Sequence, residues 1–184
     1  MLGKLATEVA TDRPDLLAPA VVTALAAWPA DAPVPVTDIL VAPIDPELAD
    51  TAAFCEAYDV GLDISANCVV VAGKREGEMR YAACMVLATT RADVNNVVRR
   101  YLDVRKASFL PMAEAVEQTG MEYGGITAIG LPKGWPVLVD GRIPAIPHVI
   151  IGSGVRHSKI VLPGAALADL PGAEVVTDLA RPAG

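Results

Sequence analysis

The sequence predicts a mixed α/β fold in which an antiparallel hairpin and several helices share one core. Residues 67–72 and 80–88 are apolar, rich in β-branched side chains and separated by the turn sequence GKREGE. Such runs are typical of strands that are buried on both faces of a sheet. Helical patterns flank the hairpin, but helices and strands do not alternate regularly, so we expect a mixed sheet and no regular series of βαβ units.

The N-terminal part of the chain predicts a helical extension in front of the main domain. Apolar residues form one stripe over residues 15–28, with Pro14 near its start, which predicts a helix. The stretch 29–35 is rich in proline and alanine and is typical of a linker. We therefore expect an extension and linker at 1–34 and the main domain at 35–184. The apolar stripe fits packing on the domain and pairing with a second copy equally well.

Local patterns predict the elements of the main domain. Asp45 and Pro46 are typical of a helix cap and a first helical residue, and the helix that they begin should end near Asp59. A helix predicted at 90–102 has an acid early and two arginines in its last turn, as the helix dipole favours. Further helices are predicted at 112–118 and 163–170, and strands at 37–43, 135–140, 148–151, 159–162 and 174–176.

Composition excludes several classes of protein. Apolar residues make up 53% of the chain, which excludes disorder along its whole length. The longest apolar runs fall well short of the roughly 18–20 residues that cross a bilayer. The first residues, MLGKLATEVATDRPD, carry acids and a proline where a signal peptide needs an apolar stretch. We therefore expect a cytoplasmic protein without a membrane partner.

The cysteines and histidines are poor material for a zinc site or a disulfide framework. Cys55, Cys68 and Cys84 form an odd set without a CxxC pair, and the only histidines are His148 and His157. We expect no metal and no other cofactor, and we interpret the cysteines as buried structural thiols. A Cys–His nucleophilic pair stays open, because such partners meet in space and not in sequence.

Positive charge is concentrated in one segment of an acidic chain. The net charge of -7 argues against broad, non-specific binding of nucleic acid. Residues 91–106 nevertheless hold five bases against two acids, and residues 156–159 (RHSK) form a second, smaller basic cluster. Each cluster could be a solvated face or a contact to a phosphate backbone. The candidates for phosphate contact are Arg99, Arg100, Arg105 and Lys106.

Three features of the main domain are typical of a binding site. The loop at 119–130 (TGMEYGGITAIG) has adjacent glycines, whose amide groups can converge on an oxygen that gains negative charge during acyl transfer. Gly152, Ser153 and Gly154 directly follow a predicted strand. Asn67 begins a buried strand, where its side chain needs a hydrogen-bond partner or a pocket. Ordinary turns are the alternative for both glycine-containing segments.

The chain carries, in this order, the run TGMEYGGITAIGLPKGWPVLVD, then VIIGSG, then SKIVLPGAALADLPGAEVV. This order and spacing resemble the YbaK/ProX family of tRNA-editing domains, which typically shows a TG…GGxxPfG segment, a strand that ends in aspartate, a glycine pair or GxG, and a final strand, helix and strand. The resemblance spans roughly residues 35–179. It implies a mixed, mostly antiparallel, barrel-like sheet flanked by helices.

The resemblance also implies an activity, namely hydrolysis of the ester that joins an amino acid to the terminal adenosine of a wrongly charged tRNA. Backbone amides of the glycine loop would stabilise the oxyanion, and the ribose hydroxyl beside the ester would replace a protein base. The implied partners are the tRNA acceptor end and an aminoacyl-tRNA synthetase. The implied catalytic residues are Gly124, Gly125, Thr127 and Asn67. The implied substrate-binding residues are Ile126, Ala128, Asp140, Gly152, Ser153 and Gly154.

Two residues depart from the family pattern. Asn67 stands where the family usually has a lysine, and asparagine can donate a hydrogen bond but carries no charge. Ala128 stands where the glycine loop usually closes with proline, which frees the backbone there. The alternatives are therefore a catalytically diverged module that binds an aminoacyl-adenosine or tRNA end, and a synthetase partner that acts through the basic surface at 99–106.

Overall fold

The strands form two larger sheets and one small one within residues 2–183, which the computed structural model describes. In chain order they are β1 (Glu8–Val9), β2 (Leu40–Pro43), β3 (Ala66–Arg75), β4 (Glu78–Leu87), β5 (Thr90–Ala92), β6 (Ala107–Phe109), β7 (Val137–Asp140), β8 (Val149–Gly152), β9 (Ser158–Leu162), β10 (Ala173–Val176) and β11 (Ala180–Pro182). The α-helices are α1 (Pro19–Ala26), α2 (Thr51–Tyr58), α3 (Arg99–Tyr101), α4 (Met112–Thr119) and α5 (Gly164–Ala168).

Most neighbouring strands are antiparallel. One sheet has the order β1-β2-β9-β8 and the other the order β10-β7-β4-β3-β6, in which only the pairings of β7 with β4 and β10 are parallel. An isolated bridge between Ser65 and Ile150 links the two larger sheets. The predicted class, a mixed and mostly antiparallel sheet structure flanked by helices, is confirmed, although the strands of residues 2–183 form no closed barrel.

The predicted hairpin is the longest pair of strands, β3 and β4. Its register places Asn67 opposite Val86 and Arg75 opposite Glu78. Glu76 and Gly77 form the two-residue turn, and both have positive φ, of 53° and 92°. This backbone is typical of the turns that match the twist of hairpin strands.

The N-terminal extension packs on the main domain. Leu16, Leu17, Val21 and Leu25 are buried in the largest apolar cluster, which also takes side chains from both larger sheets. The predicted helix at 15–28 is wrong at its start, because a 3-10 turn at Pro14–Leu16 is followed by extended backbone and α1 begins only at Pro19. Proline disfavours helical backbone in the residue before it, which explains the break. The domain boundary at residue 34 stays a prediction.

The predicted helix at 90–102 is also wrong in its first part. Residues Thr90–Ala92 form β5, which pairs with β11, a strand that the sequence patterns did not indicate. The helical part starts after Asp93, whose side chain accepts a hydrogen bond from the amide of Asn96 at 3.1 Å. It consists of a π-helical segment, Val94–Val98, that continues into α3.

Asp140 ties the end of β7 to β11. Its side chain is fully buried and accepts hydrogen bonds from the guanidinium of Arg142 and the backbone amide of Ala180, each at 3.1 Å. Replacement of Asp140 by alanine leaves these donors without their acceptor, which costs more than the hydrogen bonds themselves. We expect Asp140→Ala to lower the free energy of unfolding by about 2–3 kcal/mol, as measured by urea denaturation.

The matched control for this change is Asp178→Ala, at an exposed aspartate near the same end of the sheet. An exposed substitution of this kind should change stability by less than about 0.5 kcal/mol. Equal unfolding midpoints for the two variants would contradict a structural role for Asp140.

Candidate functional site

A cavity of about 300 Å³ lies where four parts of the fold meet. The start of β3 forms one wall through residues 65–69, and the beginning of α2 forms another through residues 49–51 and Phe54. The glycine loop contributes Tyr123, Gly124 and Ile126. The remaining wall is the end of β8 together with Lys159 of β9. Segments far apart in the sequence therefore enclose one space.

Backbone hydrogen bonds fix the glycine loop against the turn after β8. The amide of Gly154 donates to the carbonyl of Gly125 at 2.7 Å, and the amide of Glu122 donates to the carbonyl of Gly154 at 2.8 Å. The amide of Gly125 donates to the carbonyl of Glu122 and is not free to bind a ligand, contrary to the role expected for it. Within residues 2–183, the amides of Gly124 and Ile126 have no hydrogen-bond partner. These two line the cavity, as does Tyr123, whose amide also has no partner among the described residues, so the loop has donors available to a ligand there.

The loop can approach β8 this closely because residue 152 has no side chain. A Cβ atom on Gly152 would collide with the carbonyl oxygens of Gly125 and Ile126. A Cβ atom on Gly125 would in turn collide with the backbone of Val155. The two glycines are thus needed for packing between backbones, which sets the position of the cavity wall.

Asn67 lies in the cavity wall with a defined orientation. Its side-chain oxygen accepts a hydrogen bond from the hydroxyl of Thr51 at 2.7 Å. The amide NH₂ of Asn67 is therefore the group left to donate to a ligand. Thr51, at the start of α2, also lines the cavity, and the sequence patterns gave no indication of it.

Lys159 is a buried cation in the cavity wall that β8 and β9 form. Only 7% of the residue is exposed, and its Nζ atom donates to the carbonyl of Ala49 at 2.8 Å. The ammonium also lies 5.3 Å from the centroid of the Phe54 ring, within the range of a cation–π contact. Burial lowers the pKa of Lys159 below the ordinary value for lysine, because it disfavours the charged form. The sequence analysis assigned this lysine to a basic cluster that could be a solvated face. Its position inside the apolar strand SKIVL indicates burial, and that signal was missed.

Arg156 braces the rim of the cavity. Its guanidinium donates to the carbonyls of Tyr123 and Pro46, at 3.2 Å and 3.1 Å, and so joins the glycine loop to the segment before α2. The backbone amide of Arg156 donates to the carboxylate of Glu122 at 2.6 Å. Arg156 therefore has a structural partner on each side and is not a simple solvated base.

Several predicted site residues lie outside the cavity wall. Thr127 is fully buried with a hydroxyl that has no partner in the described chain, and Ala128 lies by a separate space of about 900 Å³ beside the N-terminal extension. Ser153 is fully buried and shares hydrogen bonds with Ser158. Asp140 lies at the contact with β11 described above. Gly154 packs against Ala18 and holds the glycine loop.

The thiol that lines the cavity is not activated. Cys68 lines the cavity, but burial raises the pKa of its thiol to about 12. Burial raises the pKa of Cys84 as well. A thiol with such a pKa is protonated at neutral pH and is a poor nucleophile. In residues 2–183 no three histidine, cysteine or acidic side chains are grouped as a metal site would need, and no helix is long and apolar enough to cross a bilayer.

A second concave surface carries the basic segment. A groove of about 680 Å³ runs beside the far end of β3 and is lined by four cationic residues with one acid, Glu114. The cations are Lys74, Arg99, Arg105 and Lys106. Phe109 also lines the groove and is 58% exposed. Arg100 lies outside the groove, with its Nε atom donating to the carbonyl of Asn96 at 2.9 Å.

The contact between Gly152 and the glycine loop can be tested by adding one methyl group. We expect Gly152→Ala to cost about 1–3 kcal/mol of stability, because a backbone carbonyl must move to admit the new atom. The displaced loop should also expose the amide of Gly154 to faster hydrogen exchange. Urea denaturation and exchange measured by NMR report the two effects separately.

Gly77→Ala is the control for this test, because residue 77 has positive φ but no atom within 4 Å of the added methyl. It should cost about 1 kcal/mol through backbone strain alone and leave exchange of the Gly154 amide unchanged. Unchanged exchange in Gly152→Ala as well would show that the loop does not depend on this contact.

The chain is similar in sequence and in fold to known proteins. The family described as the aminoacyl-tRNA editing domain matches residues 45–170. The uncharacterized protein YwhH of Bacillus subtilis (strain 168) is 26% identical over 125 residues, which are 68% of this chain and 78% of that protein. A solved structure described as a candidate trans-editing enzyme for prolyl-tRNA synthetase has 18% identity and a TM-score of 0.71, covering 88% of this chain and 97% of its own.

The structure of the hypothetical protein APE2540 has 18% identity and a TM-score of 0.67, covering 77% of this chain and 90% of its own. At these identities the two solved structures show a shared fold. The family match spans more than half of the chain. The chain therefore belongs to the aminoacyl-tRNA editing domain family, as the resemblance to YbaK/ProX domains predicted.

Proposed function

We propose that the protein is an aminoacyl-tRNA deacylase that hydrolyses the ester of wrongly charged tRNA. The observation that carries this proposal is the cavity, which brings unpaired amides of the glycine loop, the Asn67 amide and a buried cation together in a chain of the editing family. This arrangement offers hydrogen-bond donors to an ester and no activated protein nucleophile. Such a role in translation would place the protein in the cytoplasm.

The chemistry needs only water and positioned donors. A water oxygen forms a bond to the ester carbonyl carbon, and negative charge gathers on the former carbonyl oxygen. When this intermediate collapses, the bond from that carbon to the ribose oxygen breaks. One proton of the water ends on the released ribose hydroxyl and the other leaves the new carboxyl group for solvent. The amides of Gly124 and Ile126 would stabilise the negative charge on the carbonyl oxygen, and one such donor is worth roughly 3–4 kcal/mol in other enzymes. The neighbouring ribose hydroxyl would orient the water, which explains how the site works without a protein base.

The activity is tested with a panel of tRNAs that carry correct and incorrect amino acids. We expect release of amino acid above the uncatalysed rate from at least one mischarged tRNA and less release from its correctly charged form, measured by acid-precipitable label. The cavity is small, and one methylene group of an acyl side chain changes binding in such a site by about 1–3 kcal/mol. Release that never exceeds the uncatalysed rate would rule out the deacylase.

A catalytically diverged binding module is the second candidate, because Asn67 is neutral and the Gly125 amide is engaged within the loop. Asn67→Lys separates the two functions. In a working deacylase the lysine breaks the hydrogen bond with Thr51 and lowers turnover. Hydrolysis that appears only in the Asn67→Lys variant would favour the diverged module.

We further propose that the basic groove contacts tRNA phosphates. Asn67 in the cavity wall and Gly73 in the groove lie on the same strand, about 20 Å apart at about 3.3 Å per residue. A single-stranded 3′ end that enters the cavity could therefore place its preceding phosphates at the groove. The exposed Phe109 ring offers a surface on which a base can stack.

Salt dependence tests this contact. We expect Arg99→Ala and Arg105→Ala each to lower the slope of log affinity against log salt by about 1, because each removes one phosphate contact. Arg100→Ala is the matched control, since it removes the same charge from α3 outside the groove. The slopes are measured by filter binding of tRNA. If all three variants keep the slope of the wild-type protein, the phosphate contact lies elsewhere. A synthetase as partner of this surface is then the remaining candidate.

A further inference from the structure

Lys159 is a buried cation whose hydrogen-bonding capacity is only partly used. An ammonium group has three N–H donors. One of them meets the carbonyl of Ala49. Among residues 2–183 no other side chain or carbonyl accepts a hydrogen bond from Nζ, and the Phe54 ring lies 5.3 Å from it. Lys159 lines the cavity, so a ligand bound there can accept hydrogen bonds from the remaining donors.

In the described part of the chain no carboxylate forms an ion pair with Lys159, and the attraction from Asp50 does not offset the effect of burial. The nearest acidic residue of the cavity wall is Asp50, whose side chain is 76% exposed and lies 3.9 Å from Arg156. An unpaired ammonium that is this deeply buried is costly, and the lowered pKa of Lys159 has the same cause. A ligand oxygen in the cavity would supply the missing acceptors and recover part of this cost.

Strand pairing places Lys159 beside the glycine loop. Lys159 lies opposite Gly152 on β8 and opposite Ala42 on β2. Directly opposed residues of antiparallel strands project from the same face of the sheet. The face of Gly152 is the one on which the carbonyls of Gly125 and Ile126 pack. The lysine side chain thus extends from that face, between two residues that are too small to cover it.

We propose that Lys159 is a catalytic residue whose ammonium donates hydrogen bonds to the carbonyl oxygen of the bound ester. This inference rests on the proposed deacylase function. As water attacks the carbonyl carbon, the π electrons of the C=O bond move to this oxygen, and they return when the bond to the ribose oxygen breaks. The ammonium keeps its proton throughout and stabilises the charge together with the amides of Gly124 and Ile126. The phosphates of tRNA have a separate, exposed surface in the basic groove.

The test replaces Lys159 with methionine, which has a similar length but neither charge nor donor. We expect Lys159→Met to lower kcat about 100-fold on the best mischarged tRNA with little change in KM, because the lost interaction is strongest in the transition state. Binding of a non-hydrolysable probe, adenosine that carries a 3′-amide-linked alanine, should weaken about 5-fold. Lys133→Met, at an exposed lysine outside the cavity, should leave both values unchanged.

Urea denaturation of each variant separates catalysis from folding. Loss of a buried charge should leave stability equal or higher, and Lys159→Gln provides the same comparison should the methionine variant unfold. Wild-type kcat in a folded Lys159→Met protein overturns the inference and leaves the deacylase in place. If the wild-type protein hydrolyses no charged tRNA, the proposed deacylase function is wrong. Binding of the probe then tests the contact between Lys159 and the carbonyl oxygen. Weaker binding by Lys159→Met then supports contact with the carbonyl, whereas equal binding or no binding by the wild type overturns it.

Discussion

The site depends on the close packing of one backbone on another, where the glycine loop rests on the end of β8. Two hydrogen bonds between Gly154 and the loop hold this contact, and the missing side chain of Gly152 makes room for it. The amides of Glu122 and Gly125 are used in fixing the loop, whereas those of Gly124 and Ile126 have no partner among the described residues. The same contact that stabilises the loop thus decides which of its donors can act on a ligand.

The N-terminal extension supports this contact from the other side. The amide of Ala18 donates to the carbonyl of Ser153 at 3.1 Å, and Gly154 packs so closely on Ala18 that a side chain there would not fit. The hydroxyl of Ser158 also donates to the carbonyl of Leu16. Rigid sites need support from the groups behind them. The extension therefore belongs to the structure of the site, even though it precedes the family match at 45–170.

The sequence predicted the fold well wherever the signal was local. The hairpin, the cap at Asp45 and the end of a helix near Asp59 are set by nearby residues and are confirmed. The single helix predicted from Asp45 is wrong, because Pro46–Leu48 form a 3-10 turn and extended backbone at Asp50 separates it from α2. Predictions failed where a distant partner decides. β5 is a strand because β11 pairs with it across a long stretch of chain. In the cavity, Asn67 and the glycine loop carried recognisable motifs, whereas the roles of Thr51 and Lys159 depend on which strands become neighbours.

The departure at Asn67 has a different meaning once the cavity is known. In isolation, an asparagine at the position where the family usually has a lysine indicates a site without its positive charge. The cavity of this protein nevertheless contains an ammonium, contributed by β9 from the opposite wall. Electrostatic stabilisation depends on where a charge lies relative to the reacting oxygen, and the strand that supplies it does not matter. A neutral residue at position 67 is therefore compatible with the proposed hydrolysis, and its hydrogen bond with Thr51 orients its NH₂ group as a donor.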